Sequence, residues 1–101
     1  MNPFKQAQDL MEKMNELQNK LEQIEVIGES GTGLVKVTMN CKNEVKFVKI
    51  DQELIVPNDV EILEDLVIAA INDAKRKVDA KVEEESKKLA GLMPNIPGIG
   101  F

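Results

Sequence analysis

Gly28-Glu29-Ser30-Gly31-Thr32-Gly33-Leu34-Val35-Lys36-Val37 lies between two long stretches of helical pattern, and its reading decides the fold. Glycine admits the positive φ angles of tight turns at no steric penalty, so this stretch ends the helical periodicity. Val35, Val37, Met39 and Cys41 then alternate with Lys36, Thr38, Asn40 and Lys42, the period of a half-buried strand. Ser30-Gly31-Thr32-Gly33 reads as the turn that joins this strand to an earlier one over Val26–Glu29. Cys41-Lys42-Asn43-Glu44 reads as a second turn, with Asn43 suited to positive φ. Val45–Ile50 is the third strand. Connections this short make an antiparallel meander.

Working outward, the first helix is expected from Pro3 to about Glu25, with proline tolerated in its first turn. Ala7, Leu10, Met14, Leu17, Leu21 and Ile24 repeat at alternating spacings of three and four, a narrow heptad seam. The second helix is expected from about Asn58–Asp59 to Ala90. Asn58 and Glu61 form a box-like cap, and Gly91 is the expected stop. Its first half is broadly apolar through Ile62, Leu63, Leu66, Val67, Ile68 and Ile71. Its second half keeps only Val78, Val82 and Leu89. Each helix is about two to three times the usual ~11–12 residues, too long for a three-stranded sheet to cover. The predicted class is therefore α+β: α-β-β-β-α, a three-stranded antiparallel sheet between two long helices. Residues 1–90 form the domain, and residues 91–101, rich in proline and glycine, form a flexible tail. The uncovered seams and sheet edges call for a second copy, so a two-fold homodimer with projecting helical arms is expected.

At 101 residues the chain is one domain, with 3 aromatic residues, no histidine and a net charge of −5. Cys41 is its single cysteine, which excludes an internal disulfide and suits a buried filler in a reducing cytoplasm. No apolar run approaches the ~18 residues of a membrane span, and the N-terminus lacks a signal-peptide core. A soluble, cytoplasmic protein without membrane contact is expected.

Catalytic patterns fail one by one. Gly28 and Gly33 have phosphate-loop spacing, but Leu34-Val35 stand where Lys-Ser/Thr is needed. Gly28-Glu29-Ser30 begins a nucleophile elbow, but Thr32 replaces its second glycine, and no histidine is available as base. Glu83-Glu84-Glu85 diverge by ~100° per residue on a helix and read as a solvated face. No enzyme activity, cofactor, metal or small-molecule substrate is expected.

Charge placement is more informative. Pro57–Asp73 holds five acids and no base, whereas Ala74–Ala90 holds six bases and four acids. Lys77, Lys81 and Lys88 share one helix flank, extended by Lys75 and Arg76. Lys5, Lys13 and Lys20 mark the first helix. The competing reading is an ordinary solvated flank, since Lys13 has Asp9 and Glu16, and Lys20 has Glu16, at pairing distance.

The stretch Val26–Thr38, Val48-Lys49-Ile50-Asp51, Leu63-Glu64-Asp65-Leu66-Val67, Ala69-Ala70, Asn72-Asp73-Ala74, the opening Phe4-Lys5-Gln6-Ala7-Gln8 and the proline-glycine tail together resemble the YbaB/EbfC family of bacterial nucleoid-associated proteins. The resemblance follows the whole chain in order. It implies the α-β-β-β-α fold, a homodimer built around the sheets, and helices that project like tweezers. It further implies cytoplasmic, nucleoid-located binding of double-stranded DNA, with changes in DNA conformation and in transcription. DNA contact in this family is placed on the two terminal helices. On this chain that points to Lys5, Lys13, Lys20, Lys75, Arg76, Lys77 and Lys81. The alternative is a protein-interaction or chaperone-like module that grips partners between paired helical arms, favoured by Phe4, Met11 and Met14 near one arm tip.

Overall fold

The computed structural model describes residues 3–92. It has α1 (Pro3–Gln23), β1 (Glu25–Ser30), β2 (Val35–Asn40), β3 (Val45–Ile50), two single 3-10 turns (Gln52–Leu54 and Pro57–Asp59) and α2 (Val60–Leu92). The sheet is antiparallel in the order β1-β2-β3. This is the expected α+β arrangement of two long helices around a three-stranded meander.

The glycine-rich stretch does what its composition requires. Gly31, Thr32 and Gly33 take φ of 60°, 54° and 88°, so three successive residues are left-handed. Two glycines carry most of that turn without a Cβ clash. The turn closes through the Gly33 N–H donating to the Ser30 carbonyl and the Leu34 N–H donating to that of Gly31, both at 3.2 Å. Asn43 takes φ of 64° in the second turn, as expected of its position.

Register sorts the side chains. Val37 lies opposite Gly28 on one side and Val48 on the other, while Val35 faces Ser30 and Ile50. Val35, Val37 and Met39 are buried on the face that α2 covers. α2 lies across β1 and β2 rather than β3. It comes so close at Gly28 that an added Cβ would stand 2.3 Å from the Ala70 carbonyl oxygen and 2.4 Å from the Ala74 nitrogen. Ala70 and Ala74 are fully buried there, small residues that let the helix rest on bare strand backbone. Leu21, Cys41 and Val78 complete the core at the far end of the sheet. Cys41 is a free, buried thiol, in line with its expected role as filler.

Two helix ends differ from the sequence reading. Asn58 does not cap α2; it sits inside the 3-10 turn Pro57–Asp59, where proline at the first position starts the turn, and α2 begins at Val60. Gly91 does not stop α2, which runs to Leu92. Gly91 does not take positive φ, so it does not form the left-handed cap that would end the helix. The rest of the predicted tail, residues 93–101, lies outside the described residues.

The helices extend well beyond the sheet. Six-residue strands span about 20 Å, whereas the molecule measures 68 × 21 × 16 Å. The α1 seam is engaged only at its base: Leu21 is buried, and Leu17 and Ile24 pack beside it. Met11 and Met14, further out, are 66% and 48% exposed. The base is tied by the Cys41 N–H, which donates to the carbonyls of Leu21 and Ile24 at 3.1 Å, and by the Asn40 side-chain amide, which donates to the Glu22 carbonyl at 3.3 Å. Lys42 Nζ adds a bond to Gln18 Oε1.

Candidate nucleic-acid interface

The seven cations singled out by sequence fall into three groups. Lys5, Lys13 and Lys75 have no ion pair or side-chain hydrogen bond among the described residues. Lys5 and Lys75 are exposed, and Lys13 is half-buried on α1. The expected pairing of Lys13 with Asp9 or Glu16 does not form.

Arg76 and Lys77 share Asp73. The Arg76 guanidinium lies 3.6 Å from it and is 70% exposed, a loose pair with its donors turned to solvent. Lys77 is different. Its ammonium lies 3.0 Å from Asp73 Oδ2 and donates to the Ile27 carbonyl at 2.7 Å. The same Asp73 Oδ2 accepts the Glu29 N–H at 2.9 Å. That N–H bond, and then the Lys77 ammonium, hold the Asp73 carboxyl below its usual range. Ile27 and Glu29 present the outward polar groups of β1, an edge strand. Asp73 and Lys77 therefore seal that edge against another chain, a common protection of exposed strands. Lys77 is a structural latch as much as a surface cation. Sequence gave no hint of this, because the latch joins residues 50 positions apart.

The third group is Lys20 and Lys81, joined by Lys88. Lys20 does not pair with Glu16, as its spacing suggested. It crosses to α2 and lies 2.7 Å from Glu85. Lys88 lies 3.2 Å and Lys81 3.8 Å from the same carboxylate. Glu85 is 3% exposed, so the reading of Glu83-Glu84-Glu85 as a solvated face fails at its third residue. The missed signal was spacing. Val78, Val82, Glu85 and Leu89 step by four, three and four, which makes Glu85 a seam position. The Lys20 hydrogen bond lowers the Glu85 pKa against the opposing effect of burial, and Glu85 in turn raises that of Lys88.

Apolar exposure is concentrated elsewhere. β3 is exposed on both faces: Phe47 is 68% exposed, and Val45 and Val48 are 46% and 48% exposed. Ile55 and Val56, in the link to α2, and Ile68 on α2 are exposed as well. Among the described residues no helix is long and apolar enough to cross a membrane.

Comparison with known proteins follows the same outline. The chain matches the YbaB/EbfC DNA-binding family over residues 1–93. It is 48% identical over 98 residues to a nucleoid-associated protein of Rhodopseudomonas palustris, covering 97% of this chain and 93% of that one. It is equally similar, at 48% over 98 residues, to a nucleoid-associated protein of Nitrobacter winogradskyi, covering 97% and 92%. An uncharacterised Helicobacter pylori protein of known crystal structure shares the fold, with a TM-score of 0.76 over 89% of this chain and 98% of that one, at 20% identity. The chain belongs to the YbaB/EbfC DNA-binding family.

Proposed function

We propose that this protein binds double-stranded DNA in the nucleoid as a homodimer, alters the conformation of the DNA and so influences nucleoid organisation and gene expression. The observation that carries the reading is the family match, which runs through both helices and the sheet. The surface supports it. Lys5, Lys13, Lys75 and Arg76 have donors free for phosphate, whereas Lys20, Lys77 and Lys81 are engaged within the chain. Scattered lysines favour backbone contact driven by counterion release. Among the described residues no helix resembles a base-reading recognition helix, so weak sequence readout is expected. The role is architectural rather than enzymatic.

Dimerisation is supported by the asymmetry of the sheet. The β1 edge is latched by Asp73 and Lys77, whereas β3 has an open edge amid exposed Val45, Phe47, Val48, Ile55 and Val56. Apolar exposure gathered around one open strand favours an interface there. A second copy seated on it places β3 at the centre of the assembly and leaves the helices outward.

The exposed Phe4, Met11 and Met14 on α1 favour a second reading, a module that grips other proteins. A mobility shift with random duplex DNA, run beside an aggregation-protection assay on an unfolded client, separates the two. Duplex retention that collapses as KCl rises supports the first. Client protection that survives high salt, with no duplex shift, supports the second.

A further inference from the structure

Glu85 is the one buried carboxylate among the described residues, and three ammonium groups converge on it. Lys20 reaches it from α1 at 2.7 Å, and Lys88 and Lys81 from α2 at 3.2 and 3.8 Å. The three lysine side chains are 55%, 56% and 34% exposed, against 3% for Glu85. The cations thus form a solvent-facing layer with the carboxylate beneath. Glu84 touches the same layer from outside, 3.3 Å from Lys81 and 3.6 Å from Lys88, and is itself 53% exposed. One buried carboxylate needs a compensating charge, but a single ammonium supplies it. The other two exceed what satisfying Glu85 requires.

We infer that Lys20, Lys81 and Lys88 form one phosphate site spanning both helices, and that Glu85 is its internal occupant, which limits how tightly the site binds. The inference rests on the DNA-binding reading above. A DNA phosphate offers charged oxygens that accept from ammonium groups as carboxylates do. Its approach is from solvent, where Lys20 and Lys88 keep donors free. Glu84 is exposed, and an arriving phosphate displaces it from Lys81 and Lys88. Glu85 is packed between the helices and stays under the bound phosphate, opposing it. The site is therefore weakened by design of the seam, and contact with DNA stays readily reversible. Because Lys20 alone comes from α1, the site also joins the two helices at the level where α1 leaves the core.

The test compares Glu85→Gln with Asp79→Asn in the full chain. Both remove one negative charge from the same arm, but Asp79 is exposed and has no ion pair among the described residues. Binding is read by fluorescence anisotropy with a random-sequence duplex over a KCl series. Glu85→Gln is expected to bind more tightly than Asp79→Asn, with a log–log salt slope steeper by about 0.9 for each lysine released. Each such lysine multiplies the affinity lost between about 50 and 200 mM salt by about 3.5. Glu85→Gln binding no more tightly than Asp79→Asn overturns the inference. A second arm does not depend on that variant folding: Lys20→Ala in the otherwise unchanged chain should weaken binding measurably, but less than Lys13→Ala. No loss shows that Lys20 takes no part in the site, and an equal or larger loss shows that Glu85 does not hold it back; either overturns the inference. Failure of the unchanged protein to bind duplex DNA even at low salt would instead remove the DNA-binding reading, and this inference with it.

Discussion

Gly28→Ala tests how the sheet holds α2. The added Cβ would lie 2.3 Å from the Ala70 carbonyl oxygen, 2.4 Å from the Ala74 nitrogen and 2.7 Å from the Ala74 Cα. All three are backbone atoms, so no side chain can rotate out of the way. α2 must lift from β1 by most of an ångström at the centre of its contact. Overpacking a core costs about 1–3 kcal/mol and occasionally more, and a collision with helix backbone belongs at the upper end. Gly28 is not in the left-handed region, so alanine also stiffens the unfolded chain and returns about 0.4–1 kcal/mol. A net loss of about 2 kcal/mol or more is expected. For a domain of this size that lowers Tm by about 8–16 °C. The lift also stretches the Glu29–Asp73 and Lys77–Ile27 bonds, which start at 2.9 and 2.7 Å, so hydrogen exchange at the Glu29 amide should quicken. The assay is thermal and urea unfolding by circular dichroism at matched protomer concentration, because association would make Tm concentration-dependent. A Tm within ~2 °C of the parent, well inside the shift expected for 1 kcal/mol, would refute the bare-backbone contact.

Three further outcomes follow from the ion pairs and the apolar patch. Asp73 and Glu85 are held below their usual pKa values when folded, so the unfolded chain binds more protons in acid. Their stabilisation is complete above the ordinary carboxylate range of about 4 and is lost as pH falls through it toward the folded values. Tm should therefore fall below about pH 5, and Asp73→Asn should flatten that fall; a parallel curve would show that Asp73 does not contribute. Joint replacement of Lys13 and Lys75 by alanine should reduce the log–log salt slope of DNA binding by about 1.8 per chain while leaving Tm unchanged, because neither has an internal partner. An unaltered slope would place the DNA elsewhere. Val48→Asp puts a charge into the patch around β3 and should shift sedimentation from two chains to one with little loss of secondary structure; an unchanged sedimentation coefficient would move the interface off β3.

The meander was legible because its signals are local. Alternation in Val35–Lys42 and the glycines at 31 and 33 set strand and turn within a few residues of one another. The helix bodies were legible from the seam at Leu17, Leu21 and Ile24 and from the apolar half of α2. What could not be read were contacts made across the fold. Lys77 looked like one more flank lysine because its partner, the Ile27 carbonyl, is brought beside it only when α2 lies down on β1. Lys20 had a helix neighbour at suitable spacing in Glu16, yet the buried Glu85 offered a stronger partner, since a desolvated carboxylate gains more from an ammonium than an exposed one. Gly91 reads as a stop by residue type alone, but glycine ends a helix only where the chain turns, and here α2 continues to Leu92. Sequence spacing does not tell the free cations from those engaged across the fold, as Lys20 and Lys77 are.

The proposed function is that of a pair of chains whose outer helices hold DNA through phosphates. The most direct measurement is the equilibrium constant for a random-sequence duplex over a KCl series, with the stoichiometry fixed by sedimentation of the complex. Two chains per complex and a straight log–log line are predicted, its slope about −0.9 for every phosphate engaged. One chain per complex, or an affinity indifferent to KCl, would contradict it.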